Sequence, residues 1–457
     1  MRIATQNSER LMSYLFIFLF LILALVYYQF LGRLPTYAFP SLLKLIIGLV
    51  TLTVIFTYDI RLIPLLIPIS IIFSPNVDVG NISGRSVNLR IEDIVILSGL
   101  FSLFLRRIMF GSLEILSIRT PLDKPILAFI LVSLVSTSVG ALLGNISVAR
   151  YFFFFAKRVE YFVLFYLIYF CINSEKQNKY AIIILILCGV GISVYSFYNR
   201  SNLETVSYSS YAQLVPFVKR GISDYGPTFN LILPILISTA ITMKSPIYTA
   251  FAAFASIPVV IALMDTMQRV SYIGTMVSLL FLAIYKYRSL IILFILGIYY
   301  SIGRLSQNFI QRASFLWEEI IHYPHPYGSL PYRVAGVMEA FRNILYRPLI
   351  GKGLGTYSLG AAVSHNQYAQ LLLETGILGL GTFLWFIFNA LKTGFHMGKV
   401  TSNKLYRGFC YGYIAGVIGW LVACLGTINF TSIRSMEVFI VATAIVISGC
   451  KEDIFGG

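Results

Sequence analysis

The stretch SHNQYAQLLLETGILGLG, residues 364–381, decides how this chain is read. From Leu371 onward it is apolar enough to enter a membrane, yet His365, Asn366 and Glu374 stand at or near its mouth. The chain has only four histidines, so one at the head of an apolar helix needs a reason. A helix beginning near Asn366 rises 1.5 Å per residue, which carries Glu374 roughly 13 Å down the axis from His365. A carboxylate at that depth is expensive unless it is paired or hydrated. Gly376 and Gly379, with Gly381 behind them, read as a small-residue face for close helix packing.

Similar apolar runs recur along all 457 residues. The composition is 58% hydrophobic and 12% charged, whereas soluble domains carry about 25% charged residues. Apolar runs of about 18 residues or more are the mark of spanning helices. They predict spans near 12–31, 41–57, 61–74, 92–108, 124–143, 152–173, 179–198, 227–243, 246–264, 270–286, 289–303, 366–391, 407–426 and 433–450. The third, LIPLLIPISIIFSP (62–75), is short and broken by prolines, which fits a kinked or re-entrant segment. The expected fold class is an all-α polytopic membrane protein of about 14 (12–14) transmembrane helices. Residues 1–303 hold the N-terminal helices, 304–365 form a large extracytoplasmic loop with two amphipathic helices, and 366–457 hold the C-terminal helices. The first run lacks a small-residue cleavage site and is read as a retained helix.

With the N-terminus cytoplasmic, inner loops collect Arg106, Arg107, Arg119, Lys124, Lys286, Arg288, Lys392, Lys399, Lys404 and Arg407, as the positive-inside rule requires. The net charge is +16, and many remaining basic residues, among them Arg220, Arg269, Arg304, Arg312, Arg333, Arg342, Arg347 and Lys352, fall on or near the outer face. Some of these snorkel to lipid headgroups, and a basic outer cavity suits a phosphate or pyrophosphate. Without a soluble basic domain, nucleic acid is not an expected partner. The five cysteines, Cys171, Cys188, Cys410, Cys424 and Cys450, lie in or beside apolar runs without metal-ligand spacing and read as small hydrophobes.

In PYRVAGVMEAFRNILYRP (331–348), Val334, Val337, Met338, Phe341 and Leu345 recur at helical spacing as one apolar stripe. Pro331 suits the first turn and Pro348 ends the helix. Arg333 then stands in the first turn, where free N–H groups and the helix dipole favour an anion. LIGKGLGTYS (349–358) follows, and its glycines Gly351, Gly353 and Gly355 permit a tight turn with close backbone approach. It resembles a nucleotide phosphate loop only superficially, because the Lys-Ser/Thr ending and the following helix are missing. His365 projects at membrane level, where a neutral imidazole can act as general base or hydrogen-bond partner.

YRVAGVMEAFRNILYRPLIGKGLGTYS (332–358) followed by SHNQYAQLLLETGILGLGTF (364–383) resembles the signature of the O-antigen ligase and polymerase family. The close likeness covers residues 333–383; elsewhere it is architectural. Arg333 and His365 match the family's loop arginine and histidine. MQRVSYIG (267–274) resembles a further family segment in which Arg269 matches an arginine and Gly274 is kept, although Gln268, Val270, Ser271 and Tyr272 replace the usual neighbours. KRGISDYGPTFN (219–230) resembles another segment loosely and makes Arg220 a substrate contact. The resemblance implies a cofactor-free, metal-independent, inverting glycosyltransferase at the outer face of a bacterial inner membrane. Its donor would be an undecaprenyl-pyrophosphate-linked glycan, its acceptor a glycan or lipid, and a chain-length regulator an added partner. His365, Arg333 and Arg269 are the expected catalytic residues, with Arg220, Asn366, Tyr368 and Lys352 binding substrate. Polymerisation of O-antigen, capsule or exopolysaccharide repeats leads, and a ligase acting on lipid A-core shares every motif. The alternative of another class is a flippase or transporter of lipid-linked sugars. Lys157, Arg158 and Glu160 in FAKRVEYF (155–162) are its best support, against local pairing within one helix.

The topology has a direct test. A Ser329→Cys variant is expected to react with an impermeant thiol reagent in intact cells whose outer barrier has been opened. Labelling only after lysis would invert the orientation.

Overall fold

Where the chain leaves its expected spans, the reason is local: a bend capped by an aspartate, a polar hairpin, or charges within a helix. The computed structural model describes residues 38–73, 76–82, 85–110, 119–144, 148–200, 221–291, 330–357, 365–430 and 432–451, with Ser314, Glu318 and Ile321 singly. The run near 12–31, the run 289–303 beyond residue 291, Arg220, and all but those three positions of 301–329 lie outside the described residues. So does the second amphipathic helix expected in 304–365.

Helices dominate. In chain order they are α1 (Ala38–Tyr58), α2 (Ile63–Phe73), α3 (Ile91–Phe110), α4 (Asp123–Leu142), α5 (Val148–Cys171), α6 (Glu175–Arg200) and α7 (Gly226–Met243). Then come α8 (Pro246–Asp265), α9 (Arg269–Tyr285), α10 (Leu330–Tyr346), α11 (Gln367–Val400), α12 (Lys404–Ala423) and α13 (Ile433–Ser448). Among the described residues, α4, α6, α7, α8 and α11 are long and apolar enough to cross a membrane. They make the chain a membrane protein. A sixth candidate is the α1–α2 pair, bent by 113°. Asp59 makes that bend: its carboxylate accepts from the Arg61 backbone N–H at 3.0 Å and pairs with the Arg61 side chain at 2.8 Å. The expected kinked third run is therefore a helix folded back from the second. Of the other helices, α3, α5, α9, α12 and α13 overlap expected spans without passing that test, α9 and α13 having only 17 and 16 residues and α5 carrying Lys157, Arg158 and Glu160, while α10 lies in the expected loop.

The all-α expectation needs one correction. Asn76–Ile82 (β1) and Arg85–Arg90 (β2) form an antiparallel hairpin, with Asn76 opposite Arg90 and Ile82 opposite Arg85. Val77, Val79, Val87 and Leu89 supply short alternation around a Ser83-Gly84 connection, a strand signal too weak to stand out beside long apolar helices.

The core runs through α7 and α12. Gly408, Gly412 and Gly416 recur one helical turn apart, and a Cβ on any of them would press on the α7 backbone at Thr239, Ile235 or Leu231. With hydrocarbon outside, no hydrophobic drive joins helices, so this small-residue seam permits the close backbone contact that does. At the opposite end of α13 from its head, the buried Lys451 ammonium donates to the carbonyls of Tyr169 and Ile172 and to Asn173 Oδ1. It thereby satisfies orphan carbonyls at the tail of α5.

The glycine stripe expected on α11 has a different purpose. Gly376 has φ 67° and ψ −167° and breaks the helix. Its neighbours' N–H groups, at Ile377 and Leu378, donate instead to Pro348 O at 2.8 Å and Leu349 O at 3.2 Å. Gly376→Ala places a Cβ 2.4 Å from the Leu349 carbonyl in a conformation only glycine tolerates. It should destabilise the protein by more than the roughly 1–3 kcal/mol of backbone strain alone. Gly381→Ala, with nothing within 4 Å, should be neutral or stabilising by up to about 1 kcal/mol. Thermal unfolding of both purified variants in detergent checks the contrast.

Candidate functional site

The head of α11 is tied down by its own first residues. Asn366 is the N-cap, its Oδ1 accepting from Tyr368 N and Ala369 N, each at 3.0 Å. Asn366 Nδ2 donates to Leu425 O at 3.1 Å, Gln367 N to Cys424 O at 2.9 Å, and the Tyr368 hydroxyl to Leu421 O at 2.8 Å. Asn366 and Tyr368, expected to bind substrate, thus direct these bonds inward and stitch α11 to the tail of α12. His365, immediately before the cap, is exposed. Its backbone stands on a rigid base.

Two more expected residues are carried to the same end of the bundle. Arg269 is the first residue of α9, half-buried, after the extended N-cap Gln268. Gly274 of α9 abuts the backbone of Gly419 on α12, two residues before Leu421, so the heads of α9 and α11 meet one tail. Arg333 lies in the first turn of α10, and only its backbone is described. The expected apolar stripe of α10 divides: Val337 packs with Ala340 against Ala369, Leu373 and Tyr357, while Met338, Phe341 and Leu345 are exposed.

The glycine loop after α10 is a clamp on α11. Lys352 N donates to Leu373 O at 2.8 Å, Gly353 N to Glu374 O at 2.9 Å and Gly355 N to the Glu374 carboxylate at 2.9 Å. Gly351 has φ 65°, and a Cβ there would stand 2.6 Å from the Glu374 backbone. The close backbone approach expected of these glycines is made to protein. Lys352 keeps a half-exposed side chain, and its carbonyl accepts from the Tyr151 hydroxyl at 3.2 Å. Nearby, Arg347 has a buried guanidinium nitrogen without a hydrogen-bond partner.

Glu374 itself is buried and satisfied. Its carboxylate accepts from Gly355 N, from Gln370 Nε2 at 3.3 Å and from Arg158 at 3.5 Å. Gln370 accepts from Gln367, whose own Oε1 accepts from Phe430 N at 2.7 Å. A polar chain therefore runs from the α12–α13 connection along α11 to α5. Arg158 lies 4.6 Å from the Phe430 ring centroid and 5.6 Å from that of Phe129.

Local pairing within α5, as expected, joins Lys157 to Glu160, but the FAKRVEYF charges also reach other helices. Lys157 meets Glu160 at 2.6 Å, Asp93 of α3 at 3.0 Å and Glu437 of α13 at 3.8 Å. Arg90 pairs with Glu92 at 3.0 Å. Burial opposes the Arg90 charge, and the carboxylates of Glu437, Glu92 and Asp93 outweigh it, holding the guanidinium above its usual range. Arg434, one turn before Glu437, donates to the carbonyls of Ile71 and Ile72 and to the Tyr225 hydroxyl. None of these tertiary partners was legible, because each lies on another helix. Among the described residues, no group of three or more His, Cys, Asp and Glu side chains is arranged to hold a metal ion.

These elements define a class: a predominantly helical membrane protein with a buried ionic network that links several of its helices. No protein-family model matches the chain, and no curated protein matches it as a relative.

The Arg158–Glu374 pair makes a sharp prediction. Arg158→Met and Glu374→Gln each strand a buried partner and should destabilise by about 3–5 kcal/mol, whereas the double variant should lose much less than the sum. Unfolding of all four forms in detergent gives the coupling.

Proposed function

We propose that this chain is a membrane glycosyltransferase that moves an undecaprenyl-pyrophosphate-linked oligosaccharide onto an acceptor hydroxyl at the outer membrane face, polymerising polysaccharide repeats. The observation that carries the reading is the exposed His365 on a fixed helix head, at the bundle end where α9 begins with Arg269. The resemblance of residues 333–383 to O-antigen ligases and polymerases supports it, with Arg333 in the first turn of its own helix.

In the proposed reaction the acceptor oxygen attacks the anomeric carbon and the sugar–pyrophosphate bond breaks with inversion. The electron pair of that bond leaves on the lipid pyrophosphate. Arg269 and Arg333 stabilise the charge gathering there, and His365 takes the acceptor's proton. First-turn N–H groups of α9 and α10 add fixed positive dipole. Asn366 and Tyr368 hold the histidine's platform, and Lys352 and Arg347 extend the basic surface.

A second reading, a transporter of lipid-linked sugars, has one observation in its favour: the Lys157 network joins α3, α5 and α13 below the surface. Transfer from purified lipid-linked donor in vesicles separates the two. Arg269→Ala and Arg333→Ala should each abolish or severely reduce product while the protein stays in the membrane, and lysine should rescue poorly if the contact is bidentate. His365→Ala should lose at least about 10²-fold, the lower end for general-base assistance. His365→Gln should lose comparably, because glutamine can donate a hydrogen bond but cannot take up the acceptor's proton. Near-full transfer in the glutamine variant would leave His365 as a positioning donor. Full transfer in both arginine variants would remove the pyrophosphate clamp.

A further inference from the structure

The head of α13 carries a carboxylate with too little positive charge around it. Glu437 is wholly buried, and neither of its carboxylate oxygens has a hydrogen-bond partner. Its nearest cation is Lys157 at 3.8 Å, and that ammonium is already committed to Asp93 at 3.0 Å and Glu160 at 2.6 Å. Glu92, also wholly buried, gives one oxygen to Arg90 and leaves the other, Oε2, without a partner.

The groups facing Glu437 can be followed helix by helix. From α3 and the strand before it come Glu92, Asp93 and Arg90; from α5 come Lys157, Glu160 and the Tyr161 hydroxyl. On α13 itself stands Arg434, whose guanidinium is turned to the carbonyls of Ile71 and Ile72 and to Tyr225. Arg158 is engaged elsewhere, with Glu374. Four carboxylates, Glu92, Asp93, Glu160 and Glu437, thus face at most three cations, Arg90, Lys157 and Arg434. A buried carboxylate left without compensating charge or hydrogen bonds is strongly disfavoured.

We infer that Glu437, with the free oxygen of Glu92, binds one small monovalent cation, a proton or a sodium ion, within the helix bundle. The site ties α13 to α3 and α5 through charge, and it does not depend on the glycosyl-transfer reading.

Infrared spectroscopy of the full-length protein in lipid, with hydrogen–deuterium exchange, tests the proton arm. The wild type should show the C=O stretch of a buried, protonated carboxylic acid, and that band should disappear in Glu437→Gln or Glu92→Gln. Thermal unfolding in sodium chloride against choline chloride at equal ionic strength tests the sodium arm. A sodium-specific rise in midpoint, absent in Glu437→Gln, identifies sodium. Because glutamine keeps the shape and removes one charge, Glu437→Gln should stay folded by gel filtration, and its midpoint should be at least that of the wild type without sodium. No acid band together with no sodium-specific shift would overturn the inference, as would a Glu437→Gln protein that unfolds under conditions in which the wild type stays folded.

Discussion

Glu374 is held at once by three separate parts of the chain, and the architecture around the candidate site depends on it. Its side chain accepts from the glycine loop at Gly355, from Gln370 one turn earlier and from Arg158 on α5. Its backbone carbonyl accepts from Gly353 N and from the Ser136 hydroxyl of α4. A carboxylate buried at this depth is tolerable only with such full satisfaction. Once it is met, α4, α5, α11 and the loop after α10 have fixed positions relative to one another.

The kink at Gly376 belongs to the same constraint. Two residues past Glu374, α11 releases its N–H groups to carbonyls of the segment entering the glycine loop. Irregular backbone in a membrane protein is stable where it is buried in protein and its polar groups are paired, and here the loop and the break satisfy each other. Above the kink, the first turns of α11 are bound to α12 through Asn366, Gln367 and Tyr368. His365 therefore stands at the end of a braced lever. Below it, α12 packs on α7 through glycines, so the bracing reaches the centre of the bundle.

A network of this kind separates two electrostatic tasks. Three carboxylates, Asp93 at 3.0 Å, Glu160 at 2.6 Å and Glu437 at 3.8 Å, surround the one Lys157 ammonium, whereas Arg269 and Arg333 stand in the first turns of α9 and α10. A small cation suits the first setting and an anion the second. Both the proposed chemistry at the arginines and the inferred cation at Glu437 follow from that division.

The sequence alone determined which segments are helices, because a 20-residue apolar run has no other way to satisfy its backbone in hydrocarbon. It also determined the limits of α10 from Pro331 and Pro348 and the need of Glu374 for a partner, and it read the short third run as kinked or re-entrant from its prolines without finding the break at Asp59. It missed the hairpin before α3, whose short alternation competes poorly with longer signals. The tertiary structure alone decided who meets whom: that Arg158 answers Glu374, that Lys157 reaches α3 and α13, that the glycine loop clamps a helix, and that Asn366 and Tyr368 face inward. Helical periodicity specifies which face a side chain occupies but not which neighbour that face finds. With lipid as apolar as the helix surfaces, the choice of neighbour fell to small-residue fit and buried polar pairing, which appear only when separate helices are brought together.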